Sequence, residues 1–216
     1  MRLGPILQAI VAVPALTPAI GWVESALGLV VTGRGRFPRE TALTLGSTAL
    51  VDVPCVAVGL PSAPELLLLV ENPAASSSLV PALGWSGLSL SRPGASASVV
   101  GLGLHWTLSD GEAALVAATL GSAAPAVTRG YYRGLGAQAP SAIAPERLSL
   151  RGAELVIVDA ALPSPSAASD VPPALCALVL GRGSATALLP APDAHSVGPD
   201  GEWLLLRAAP IRPLTD

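Results

Sequence analysis

Apolar residues in this chain come in short continuous runs rather than in long one-sided stripes. Six runs stand out: 6–13 (ILQAIVAV), 50–58 (LVDVPCVAV), 65–71 (ELLLLVE), 153–159 (AELVIVD), 174–182 (ALCALVLGR) and 202–207 (EWLLLR). Each is bounded by Gly, Pro or a charged residue. Runs of this length predict strands, and an unbroken apolar run predicts a strand buried on both faces, as in α/β sheets covered by helices. Weaker strands are expected at 86–91 and 96–104. Helical signals are fewer. Residues 17–27 open with Thr17-Pro18, a pair suited to a cap followed by a helical first turn. Residues 73–83 allow a short helix limited by Pro81. Residues 109–120 read either as a helix or as a turn (Ser109–Glu112) leading into a strand (114–119), and periodicity does not choose between them. The Ala-, Pro- and Ser-rich stretches 136–146 and 161–173 read as loops. No repeat of fixed period is visible, so residues 1–216 are taken as one domain.

Composition narrows the classes. Of 216 residues 51% are hydrophobic and 12% are charged, about half the usual charged share. Disorder is excluded, because it goes with low hydrophobicity and high net charge. The net charge is −3, and every basic residue is an arginine. No basic cluster supports nucleic-acid binding or a polybasic membrane patch. The mean hydropathy of +0.60 raises the question of a membrane span. A spanning helix needs about 20 unbroken apolar residues. The best windows, 3–23 and 42–60, are interrupted by Pro14 and Pro18 and by Asp52 and Pro54. A signal peptide fits poorly for the same reason. Cys55 and Cys176 read as buried thiols, and a cytoplasmic location is expected.

Candidate chemistry is sparse. The two histidines are His105 and His195. His105, Asp110 and Glu112 lie close in sequence, but their spacing matches no metal motif; the simpler reading is a strand ending at His105-Trp106 and a turn at Asp110-Gly111. Both cysteines sit within apolar runs, unlike reactive thiols. Gly33-Arg34-Gly35 lacks the third glycine of a dinucleotide loop. Gly181-Arg182-Gly183 reads as a tight turn between paired strands. No catalytic, cofactor-binding or metal-binding residue is assigned, and no cofactor is expected.

Three segments, in order, resemble the amino-terminal half of β-ketoacyl synthases of the thiolase-like superfamily. Residues 6–25 resemble its opening strand, Ser/Thr-Pro-x-x-Gly turn and helix, through Thr17, Pro18, Gly21 and Glu24. Residues 110–137 resemble its turn, strand, proline and helix. Residues 174–190 resemble its strand–Gly-x-Gly–strand hairpin, with Arg182 at the usual glutamate position. The resemblance implies an α/β fold, a thiolase-like half with a mixed, mostly buried sheet flanked by helices. It places the nucleophile position on Val100, where no cysteine lies. With no lysine, and with the carboxy-terminal half missing, the family's catalytic set cannot be assembled.

The function implied is a non-catalytic relative in fatty-acid or polyketide biosynthesis, akin to a chain-length factor: a pseudoenzyme of acyltransferase type. Its expected partners are a synthase-like subunit or a second copy, and an acyl carrier protein. Two other readings stay open. One is a degenerate Toprim-like domain with Glu71 and Asp110 as metal ligands and Leu108 replacing a third. The other is an α/β assembly domain without chemistry.

Overall fold

The computed structural model describes residues 3–75, 83–138, 144, 146–160, 175–182, 194–200 and 202–207. Its backbone is dominated by a 13-stranded sheet. In chain order the elements are β1 (Leu3–Val13), α1 (Leu16–Trp22), a π-helical turn (Val23–Leu27), β2 (Val30–Arg36), α2 (Arg39–Thr44) and a 3₁₀ turn (Thr48–Leu50). Then come β3 (Pro54–Leu60), β4 (Ala63–Glu71), β5 (Gly84–Ser91), β6 (Ala97–Gly101), β7 (Leu104–Ser109), β8 (Ala114–Ser122) and α3 (Pro125–Gly134). The last five are β9 (Arg147–Leu150), β10 (Ala153–Asp159), β11 (Leu175–Arg182), β12 (Ala194–Val197) and β13 (Trp203–Arg207).

The pairing follows one rule used four times. A leading strand pairs in parallel with the last strand of its unit, and that last strand pairs antiparallel with the strand before it. The parallel pairs are β1 with β4, β5 with β7, β8 with β10 and β11 with β13. Their hairpin mates are β3, β6, β9 and β12. Leading strands then pair with one another antiparallel, β1 with β11 and β5 with β8. Two half-sheets result. Sheet A runs β2-β3-β4-β1-β11-β13-β12, and sheet B runs β6-β7-β5-β8-β10-β9. They join where β1 meets β8, through the residue pair Ile6↔Leu115.

The apolar runs bury as expected but on sheets of a different kind. One large core takes a face of each half-sheet. Val11, Leu67, Leu69 and Leu180 come from sheet A, and Leu88, Trp106, Leu120 and Leu155 from sheet B. Ala19, Val23 and Leu27 of the first helical segment fill in beside them. A second core covers the opposite face of sheet A. There Ile10, Cys55, Ala57, Leu68, Val70 and Val179 meet Phe37, Ala42, Leu45 and Leu50. The connection between β2 and β3 therefore folds back as a plug over sheet A. This explains its continuous apolar strands, since both faces are covered by chain.

These observations overturn the thiolase-like α/β expectation. Helices are short and few among the described residues, and no layer of helices flanks the sheet on both sides. The α1 helix does follow β1, but its N-cap is Ala15 rather than Thr17, with no side-chain cap bond. Val100 lies on edge strand β6 and is 57% exposed, in front of a hairpin turn rather than at a strand–helix elbow. That turn carries positive φ at Leu102 and Gly103, which splits the expected strand 96–104 into β6 and β7. Arg182 ends β11, whose described neighbours are β1 and β13, and the rest of the expected hairpin, 183–190, lies outside the described residues. Residues 109–120 take the turn-and-strand form. The possible helix at 73–83 and the loop at 161–173 lie largely or wholly outside the described residues. No described helix is long and apolar enough to cross a membrane.

Candidate functional site

The outer face of sheet B is open. The register aligns side chains across it in rows. One row reads Ser98, Thr107, Ser89, Ala117, Glu154, Ser149. The next reads Val100, His105, Gly87, Thr119, Val156, Arg147. The face curls into a cleft of about 700 Å³ lined by residues of β5, β7, β8, β9 and β10. Solvent-facing strands are ordinarily coated with long charged side chains. Here Gly87, Ser89, Thr107, Ala117 and Thr119 put small side chains at the middle of this face, and that smallness helps to make the hollow. Gly87 shows the constraint. A β-carbon there would lie 3.1 Å from the His105 carbonyl oxygen and 3.3 Å from Thr119 Cβ.

The cleft chemistry is one of hydroxyls. Ser89, Thr107, Ser109, Thr119 and Ser149 line it. None of them spends its side chain on a hydrogen bond to the described residues. The charged groups are already engaged. Arg147 Nη1 bonds Glu154 Oε2 at 2.8 Å, and its Nε lies 3.8 Å from Glu146 Oε1. No aromatic side chain lines the hollow.

A second polar cluster is buried between α3 and the β12–β13 turn. The Tyr132 hydroxyl donates to Glu202 Oε1 at 2.7 Å, and the Asp200 amide donates to Oε2 at 3.0 Å. Thr128 donates to Asp200 Oδ2 at 2.8 Å, and the Ala123 amide to Oδ1 at 3.1 Å. With the Thr128 proton so used, Ser122 donates to Thr128 at 2.8 Å and accepts from the Ala124 amide at 3.1 Å. Asp200 thus anchors the start of α3 from 70-odd residues downstream, through the Ala123 amide and the Thr128 hydroxyl, where its negative charge meets the helix's positive end. Burial pushes the Glu202 carboxyl above its ordinary range, and the Tyr132 bond works against that rise. Burial, and then the charge of Glu202, push the Tyr132 hydroxyl well up. Glu202 folds back over Gly198, where a β-carbon would overlap Oε1. Trp85 and Tyr131 pack edge-on against Tyr132, with ring centroids at 6.5 and 5.2 Å. This cluster ties the two halves together.

Solved structures share this architecture. A putative dioxygenase from Bacillus subtilis subsp. subtilis str. 168 superposes with a TM-score of 0.62 at 9% identity, covering 96% of this chain and 86% of that one. A glyoxalase I mutant from Zea mays gives 0.55 at 13% identity, covering 94% and 91%. The fold is the vicinal oxygen chelate fold. A second glyoxalase I mutant from Zea mays agrees, at 0.53 and 10% identity over 94% and 92%. No protein-family model and no curated protein matches the sequence. These likenesses replace the β-ketoacyl synthase reading and the Toprim-like alternative with it. The expected synthase-like subunit and acyl carrier protein were implied by that resemblance and lose its support.

Chelation of vicinal oxygens needs a metal ion held by side-chain donors facing the curled sheet. Among the described residues no three His, Cys, Asp or Glu side chains converge. Sheet A presents an apolar face beneath the plug. Sheet B offers the cleft one carboxylate, Glu154, which Arg147 occupies. His105 shares the face but stands three strands from Glu154, about 14 Å along the sheet. The described donor set does not fit a metal ion. Asp110, weighed from the sequence as a ligand, instead accepts the Gly94 amide at 2.7 Å in a loop, and Glu71 ends β4 in the other half-sheet. Sequence reasoning missed the cleft because its residues are small and scattered over five strands. The one available signal was the Ser/Thr alternation in 86–91 and 105–109.

Proposed function

We propose that the protein binds a small molecule in the cleft of sheet B. The observation that carries this reading is the run of unpartnered hydroxyls around a hollow of about 700 Å³ on the curled face. Ligand sites commonly fall between roughly 300 and 1,000 Å³. Sheet A supports the same reading by contrast, since its corresponding face is filled by Phe37 and α2. A reducing, cytoplasmic location belongs to this proposal, in keeping with the free buried thiol of Cys55.

The test is protein-observed NMR with a fragment library. Backbone shifts clustering at Ser89, Thr107, Thr119 and Ser149 are the expected result. Fragments that bind only elsewhere, or none binding at all, would overturn it.

A further inference from the structure

The cleft's charge arrangement narrows what it would hold. Its one guanidinium faces two carboxylates, Glu154 at 2.8 Å and Glu146 at 3.8 Å. Within the lining the charges of Arg147 and Glu154 cancel, and Glu146 lies just outside it beside Arg147, so no net positive charge is offered to a ligand. An incoming carboxylate or phosphate that reaches Arg147 would lie beside Glu154, which like-charge repulsion opposes. An apolar ligand would leave the row of hydroxyls without partners, at a desolvation cost for each one covered. The absence of an aromatic ring in the lining removes any stacking platform.

What remains complementary is a molecule that both donates and accepts, since each serine or threonine hydroxyl does both. The register sets the spacing. Adjacent strands lie about 4.8 Å apart, so neighbouring hydroxyls such as those of Thr107 and Ser89 repeat at that interval across the face. Polar groups on opposite edges of a six-membered ring are separated by a similar distance.

We infer that the cleft of sheet B takes a neutral, polyhydroxylated ligand of the cyclic polyol or sugar type, held by hydroxyl-to-hydroxyl hydrogen bonds and without a metal ion. This rests on the reading that the cleft is the binding site. Arg147 is a masked cation in this arrangement, and Glu154 is the group that masks it.

The experiment is calorimetric titration in EDTA, with NMR shift mapping, using methyl β-glucopyranoside and myo-inositol against gluconate and glucosamine. The neutral pair should bind at the cleft, with gluconate at least tenfold weaker. Thr119→Val and Ser89→Ala should each weaken the neutral ligand about fivefold, with circular dichroism unchanged. Glu154→Gln unmasks Arg147 and should raise gluconate affinity several-fold over the wild type. Tighter binding of gluconate or glucosamine than of the neutral pair would overturn the ligand class while leaving the cleft as the site. The same holds if none of the four binds while other fragments do. Loss of neutral-ligand binding in EDTA, or no rise for gluconate with Glu154→Gln, would equally overturn the inference.

Discussion

Replacing Tyr132 by phenylalanine removes one oxygen and keeps the ring against Trp85 and Tyr131. The oxygen donates to Glu202 at 2.7 Å, and Glu202 is only 4% exposed. Its loss therefore leaves a buried carboxyl short of a partner. While that carboxyl is protonated the lost bond is neutral, worth about 1 kcal/mol; once it is ionised the bond is charge-assisted, worth about 1.5–3 kcal/mol. Burial lifts the folded-state Glu202 above its ordinary 4.5, so the folded protein holds this proton more tightly than the unfolded chain. That contribution to stability is full below the ordinary value and is lost as pH rises through the folded one. The Tyr132 bond restrains the lift, so removing it raises the folded value further and extends the loss. Tyr132→Phe should therefore cost more as pH rises. For a chain this size the gap in Tm from wild type grows from roughly 2–4 °C at the acid end to roughly 3–12 °C above the folded value, about a 1.5- to 3-fold widening. Melts followed by circular dichroism across the carboxylate range and up to neutrality measure it, and Glu202→Gln should flatten the trend. A gap that stays constant or narrows with rising pH would refute the reasoning.

Four other outcomes are expected. Phe37→Ala should destabilise by about 3–5 kcal/mol, because Phe37 is fully buried in the plug over sheet A. In a Cys176→Ser background the same change should speed the reaction of Cys55 with a thiol reagent, since burial now pushes that thiol up to about 11; an unchanged rate would show that the plug does not shield it. Gly101→Ala drives a β-carbon into the Trp22 ring, so it should shift Trp22 fluorescence and lower Tm, and a neutral result would argue against that packing. Gly198→Ala should displace Glu202 and reproduce most of the loss seen with Tyr132→Phe, as read by the same melts.

The apolar runs were legible as strands because burial needs only local hydrophobicity. β1, β4, β10, β11 and β13 all fall where those runs predict them. What the runs did not disclose was how they pair. A strand such as 65–71, covered on one face by the main core and on the other by Phe37 and α2, reads the same as one covered by two helical layers. The plug itself, RFPRETALTLG, has no strong periodicity, and its helix is six residues long. β2 is an edge strand with glycine and arginine alternating, so it has little apolar signal. The fourfold unit was equally hidden. Its repeat lies in backbone pairing, and its connections vary from a turn between β6 and β7 to α3 between β8 and β9. The buried Tyr132–Glu202 pair joins residues 70 apart, a contact that no local pattern encodes.

The pairing of β1 with β11 sets an order of events for a chain emerging from a ribosome. Sheet B is drawn from the consecutive residues 84–159, whereas sheet A needs 3–71 and then 175–207. Once β4 has docked, the other edge of β1 lacks the partner it will keep along most of its length until Leu175 and its successors are made. At ordinary synthesis rates that wait is roughly 5–20 s. An apolar edge left open for so long invites pairing with neighbouring chains. A nascent or truncated chain ending before β11 is therefore the form most exposed to aggregation, and the late strands act as the closure that ends that exposure.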